Sequence, residues 1–144
     1  MMMLWCVIWG ILCIRYSLYS IALIPLGCTL ASVANILAYK LHLKLKLTTN
    51  FQIAISIVLP FWLQTVLGGF VPSGFVMLWS LMGLLGSTLT QGKRNTQIWY
   101  LLFMILTVVC MIYQPEIGQF KPDRFTESVS QSMFLWNLFL VLGL

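Results

Sequence analysis

Six apolar runs follow one another along the chain; only Ser20 and its neighbours separate the first two, so that turn is tight or the first run ends near Arg15. They are Met1–Ser20, Ile21–Tyr39, Phe51–Leu67, Gly74–Thr90, Ile98–Tyr113, and a last run that starts near Ser132 and is still apolar at Leu144. A helix that crosses a bilayer needs about 20 apolar residues, within a range of roughly 17–25. A water-soluble fold needs a polar surface, and this chain cannot supply one. Apolar residues are 60% and charged residues 8% of its 144 residues, against about 45–50% and about 25% in a soluble domain. Six Trp, five Tyr and nine Phe suit a chain that meets lipid and headgroups. The expected fold is all-α: a polytopic membrane helix bundle of six transmembrane helices, forming one domain over residues 1–144.

The two ends of the chain are shorter than a complete bundle needs. The first run opens directly on MMMLWCVIWG without a charged lead, and the last supplies only MFLWNLFLVLGL. A full sixth crossing needs roughly six to ten more residues. The first and last helices are therefore expected to be truncated, and the chain to be a fragment or an early-stopping gene product. A cleaved signal peptide fits poorly, because no basic segment precedes the apolar run and no A-x-A-like site follows it.

Loop charge sets the orientation. The net charge of +5 comes from eight Lys and Arg against three acids. In a soluble chain this would suggest nucleic acid; here the basic residues sit in short loops and report topology instead. Lys40, Lys44 and Lys46 share one loop, and Lys93 and Arg94 another, two spans further on. The Gln114–Ser130 loop holds Glu116, Asp123 and Glu127, with Lys121 and Arg124. The positive-inside rule places the Lys40–Lys46 and Lys93–Arg94 loops in the cytoplasm. Both ends of the chain then face the cytoplasm, in a multi-pass protein of the plasma (inner) membrane. The Lys40–Lys46 loop is also a place for anionic lipid, although three lysines fall short of the usual cluster of about four to eight.

Little in the chain points to catalysis. No span holds a carboxylate, so the intramembrane ionisable residue of a proton-coupled transporter is missing. There is no P-loop, no G-x-G-x-x-G and no G-x-S-x-G. Cys6, Cys13, Cys28 and Cys110 lie in apolar runs and form no C-x-x-C pair, and His42 is the only histidine. No metal or other cofactor is expected in this chain. The residues singled out are small and polar ones at helical spacing. Gly27, Ala31 and Asn35 recur every four residues on the second run, and Gly83 and Ser87 on the fourth, where Gly86 and Thr90 repeat the spacing. Small residues let helix backbones approach closely, and an amide in lipid seeks a hydrogen-bond partner. Gln52 and Ser56 on the third run and Asn137 on the sixth extend the pattern. This seam packs the bundle internally or forms the face of a homodimer. Pro60 is expected to kink the third helix, and Pro25, near the start of the second, to disturb it less.

The middle of the chain is similar to a known family. The string LPFWLQTVLGGFVPSGFVMLWSLMGLLG, Leu59–Gly86, is its most specific part, followed by QGKRNTQIWYLLF and a YQPEIG turn. It resembles the six-helix membrane domain of bacterial class III adenylate and guanylate cyclases, of the kind frequent in cyanobacteria. The resemblance implies an amino-terminal membrane anchor and signal-input domain, then a linker helix and a cytosolic cyclase domain that works as a dimer with Mg or Mn. This chain departs from that pattern by lacking the cytoplasmic lead and the catalytic domain, so none of the family's metal-binding or purine-selecting residues has a position here. By itself the chain is expected to make no cyclic nucleotide. A sensor histidine kinase membrane domain and a small stand-alone six-span transporter or channel subunit are the alternatives. The ligand sensed is not written in the sequence.

Overall fold

The computed structural model describes residues 2–41, 44–120 and 127–142. All regular structure in these residues is helical. The helices are α1 (Met2–Arg15), α2 (Tyr19–Lys40), α3 (Leu45–Val66), α4 (Ser80–Thr90), α5 (Lys93–Ile112), α6 (Gln114–Ile117) and α7 (Glu127–Leu142). A 3-10 turn, Val76–Trp79, leads into α4, and another, Gly118–Phe120, follows α6. Three helices, α2, α3 and α5, are long and apolar enough to cross a membrane, which marks the chain as a membrane protein. The apolar helices Cys6–Arg15 and Val76–Thr90 are shorter.

The chain forms two compact units, Met1–Ile55 and Ser56–Leu144. In the first, α1 packs along α2. Cys6, Trp9, Gly10 and Cys13 follow an i, i+3, i+4, i+7 spacing and are buried, as one face of a helix requires. A Cβ on Gly10 would lie 2.7 Å from Leu26 Cδ2, so the Leu26 side chain of α2 packs directly over this glycine. The buried face of α2 is Ile21, Ala22, Pro25, Cys28 and Ser32. α1 ends at Arg15 through a left-handed Ser17 (φ 60°). α2 runs through Pro25 without interruption. Two side chains tie α2 to the first turns of α3. Asn35 Nδ2 donates to the Thr48 carbonyl at 2.9 Å, and Gln52 Nε2 donates to Ser32 Oγ at 3.3 Å.

In the second unit, the later turns of α3 bury Ile57, Pro60, Phe61, Leu63 and Gln64. Pro60 removes the amide that would bond to the Ser56 carbonyl. The neighbouring Ile57 carbonyl accepts Ser80 Oγ at 2.9 Å, which joins α3 to the start of α4. Phe61 on α3 meets Phe103 on α5 edge to face, with centroids 5.6 Å apart. α4 packs on α5, and α7 packs on the Val76–Trp79 turn.

Several helices differ in extent from the apolar runs. α3 begins at Leu45 rather than Phe51, so Lys46 belongs to its first turn. α5 begins at Lys93 rather than Ile98, preceded by an extended Gly92. α7 begins at Glu127 rather than Ser132. In each case polar residues continue the helix beyond its apolar stretch.

Candidate functional site

The most elaborate polar arrangement lies in the second unit, where α3 ends and the chain turns towards α4. Gly68 and Gly69 have φ of 89° and 105°, conformations that glycine adopts without cost. The Gly69 amide bonds back to the Gln64 carbonyl at 2.9 Å, closing the last turn of α3. Gly74 (φ 62°) and Phe75 (φ 55°) turn the chain again, and the Phe75 amide bonds to the Phe70 carbonyl at 2.9 Å. A left-handed phenylalanine costs about 1–2 kcal/mol. Neighbouring rings hold it there: Phe75 lies between Phe70, at 6.2 Å, and Phe134 of α7, at 6.1 Å.

One face of α7 docks on this elbow. Ser130, Met133, Phe134 and Asn137 share it by their i, i+3, i+4, i+7 spacing. Gly74 lies directly under the α7 backbone, for a Cβ there would overlap the Phe134 amide nitrogen and come within 2.8 Å of the Met133 carbonyl carbon. Asn137 has no exposed surface, and its Nδ2 donates to the Ser73 carbonyl at 3.2 Å and to the Gly74 carbonyl at 2.7 Å. Ser130 Oγ donates to the Val71 carbonyl at 2.5 Å. On another side, the Phe70 amide donates to Gln114 Oε1 at 3.3 Å, and a Cβ on Gly69 would overlap the Gln114 amide. Asn137 and Ser130 of α7 thus donate to carbonyls of the elbow, while Gln114 of α6 accepts from its Phe70 amide. Gln64, below the elbow, is 1% exposed and neither atom of its amide has a hydrogen-bond partner among the described residues.

The other singled-out residues fall in different places. Gly27 is exposed, and a Cβ there would meet nothing within 4 Å. Ala31 and Asn35 are half-buried, beside the buried line through Pro25, Cys28 and Ser32. Gly83 is buried, and its Cβ would lie 2.9 Å from Ser56 Cβ. Ser87 is also buried; its carbonyl accepts Thr96 Oγ1 from α5 at 3.1 Å. Gly86 has open space beside it, and Thr90 is exposed. The elbow glycines and Ser73 were not singled out from the sequence. The signal available was the repeated glycine and serine of LGGFVPSG, read together with the lone amide of the sixth run.

Glu116 and Glu127 are exposed. Asp123, Lys121, Arg124 and His42 lie outside the described residues. Among the described residues no three His, Cys, Asp or Glu side chains gather as metal ligands would. What the elbow offers chemically is a hydrogen-bonded clamp on α7. Comparison with family models, curated proteins and solved structures finds no match.

Proposed function

We propose that residues 1–144 are the membrane anchor and signal-input part of a class III adenylate or guanylate cyclase. In this reading α1, Val76–Thr90 and α7 cross the membrane beside α2, α3 and α5, giving six spans. The 15 residues of Val76–Thr90 reach roughly 22 Å at about 1.5 Å per residue, which needs local thinning of a core of about 30 Å. Both ends face the cytoplasm and the protein sits in the plasma membrane, as the basic loops indicate. The chain works as a homodimer, and its own residues perform no chemistry. The Mg or Mn of nucleotide cyclisation belongs to the catalytic domain.

One observation carries the reading: the clamp that Asn137 makes on the Ser73 and Gly74 carbonyls. The resembling string Leu59–Gly86 spans the end of α3, the elbow and the start of α4. The sixth helix of such a domain leads to the output, and here that helix is gripped at the elbow through one amide. A change at the elbow would shift or release α7, and α7 would set how two cyclase domains meet. The test uses the full-length gene. ATP and GTP turnover are measured in membranes for the intact protein, for Asn137→Leu, and for a form in which residues 1–144 are replaced by an unrelated dimerising tag. Altered turnover or regulation in both variants supports the reading. A gene without a cyclase domain overturns the output assigned here. Unchanged rate and regulation after replacement overturns the input role.

A further inference from the structure

The end of α2 and the start of α3 have a composition unlike the rest of the chain. Tyr39 and Lys40 close α2, Lys44 precedes α3, and Leu45, Lys46 and Leu47 form the first turn of α3. Lysine and leucine alternate here, and both are exposed. Leu41, Leu45 and Leu47 are 75%, 63% and 58% exposed, and Lys40, Lys44 and Lys46 are exposed as well. Exposed leucines are expected along a lipid-facing helix. At a helix end, interleaved with ammonium groups, they need an environment that is apolar on one side and anionic on the other.

Charge narrows the occupant. The chain has no Asp or Glu before Glu116, so the unit Met1–Ile55 holds Arg15, Lys40, Lys44 and Lys46 with no carboxylate of its own. Three cations within seven residues repel one another, and their counterions must come from outside that unit. Lysine stems lie along apolar surface while the ammonium reaches for the polar layer. An exposed Tyr at the same level suits a headgroup boundary. Three lysines alone make a weak electrostatic site, but membrane attachment gains when apolar insertion is added to basic charge.

We propose that Tyr39–Leu41 at the end of α2 and Lys44–Leu47 at the start of α3 form a binding surface for anionic phospholipid, with Leu41, Leu45 and Leu47 entering the acyl boundary and Lys40, Lys44 and Lys46 pairing with headgroup phosphates. This rests on the membrane reading above and adds a lipid preference to it. In a signal-input domain the preference would tie these two helix ends to the composition of the leaflet.

The test reconstitutes the whole chain into phosphatidylcholine vesicles, with and without phosphatidylglycerol. Spin-labelled phosphatidylglycerol and phosphatidylcholine then report which lipid stays at the protein. The wild type should retain phosphatidylglycerol preferentially. The triple variant Lys40→Gln, Lys44→Gln, Lys46→Gln should lose on the order of tenfold or more in phosphatidylglycerol association. Lys93→Gln with Arg94→Gln should keep the preference. Helix content by circular dichroism shows that each variant is folded, and a triple variant that misfolds is replaced by the three single variants, whose losses should each be smaller and in the same direction. Equal retention of both lipids by the wild type, or an undiminished preference in the lysine variants, overturns the proposal. Displacement of the lipid by inorganic phosphate also overturns it, because the site would then be one for free anions. A chain that fails to float with carbonate-washed vesicles of either composition overturns the membrane reading itself. One that floats with both but prefers neither overturns only the lipid site.

Discussion

Replacing Asn137 with Leu removes the clamp on α7 while keeping the volume of the side chain. Asn137 is fully buried, and its Nδ2 donates to two elbow carbonyls, Ser73 at 3.2 Å and Gly74 at 2.7 Å. Side-chain hydrogen bonds inside membrane proteins average about 0.6 kcal/mol each and reach about 1.7 kcal/mol. Two such bonds give about 1 kcal/mol as a lower figure. A buried carbonyl left without its partner costs about 1–3 kcal/mol, so the expected loss is about 1–4 kcal/mol in all. Asn137→Asp should cost more, because it removes the same donor and brings a charge into the buried site. Gln131→Ala, at an exposed position of α7, should stay within about 0.5 kcal/mol of the wild type. The assay is thermal unfolding in mild detergent, with amide hydrogen exchange across residues 127–142. The Leu variant should melt earlier and exchange faster along α7. If its stability matches that of the Gln131 control, α7 is not held by this amide.

Two further outcomes follow from the buried polar and small residues. Gln64 has an amide without a hydrogen-bond partner among the described residues, so Gln64→Leu should leave stability unchanged or raise it by up to about 1–3 kcal/mol; a fall of more than about 1 kcal/mol in the same melting assay would mean that the amide is satisfied in solution. Gly83→Ala should cost about 1–3 kcal/mol, because its Cβ would press within 2.9 Å of Ser56 Cβ, whereas Gly27→Ala should be neutral or stabilising by up to about 1 kcal/mol, since nothing lies within 4 Å. Equal losses at the two glycines would show that Gly27 packs against another protomer.

Helix content was legible because a long apolar run without charge has few alternatives in lipid. The first break was read either as a tight turn near Ser20 or as an end near Arg15, and α1 ends at Arg15 with α2 starting at Tyr19. Helix ends were less so. An apolar run marks where lipid would contact a helix, while hydrogen bonding continues into Leu45–Asn50 and Lys93–Gln97, which are polar in part yet helical. The second-helix face was read from small residues at Gly27, Ala31 and Asn35, but the buried line runs through Pro25, Cys28 and Ser32. In an all-apolar helix no polar stripe marks the outside, so spacing identifies faces without saying which one is covered. The elbow clamp was the least legible part. Asn137 and Gly74 are 63 positions apart, and no local pattern announces a contact of that range. Asn137 could be singled out as an amide in need of a partner, and only the fold supplies the partner.

Side-specific labelling of single introduced cysteines tests the membrane reading most directly. The four native cysteines are buried, which keeps their background low. Lys46→Cys, Lys93→Cys and Glu127→Cys each place a thiol at an exposed position outside the apolar stretches. With a membrane-impermeant maleimide, Glu127→Cys should label in intact cells. Lys46→Cys and Lys93→Cys should label only after the membrane is opened. Labelling of Glu127→Cys and Lys93→Cys from the same side would contradict the six-span arrangement and the orientation together.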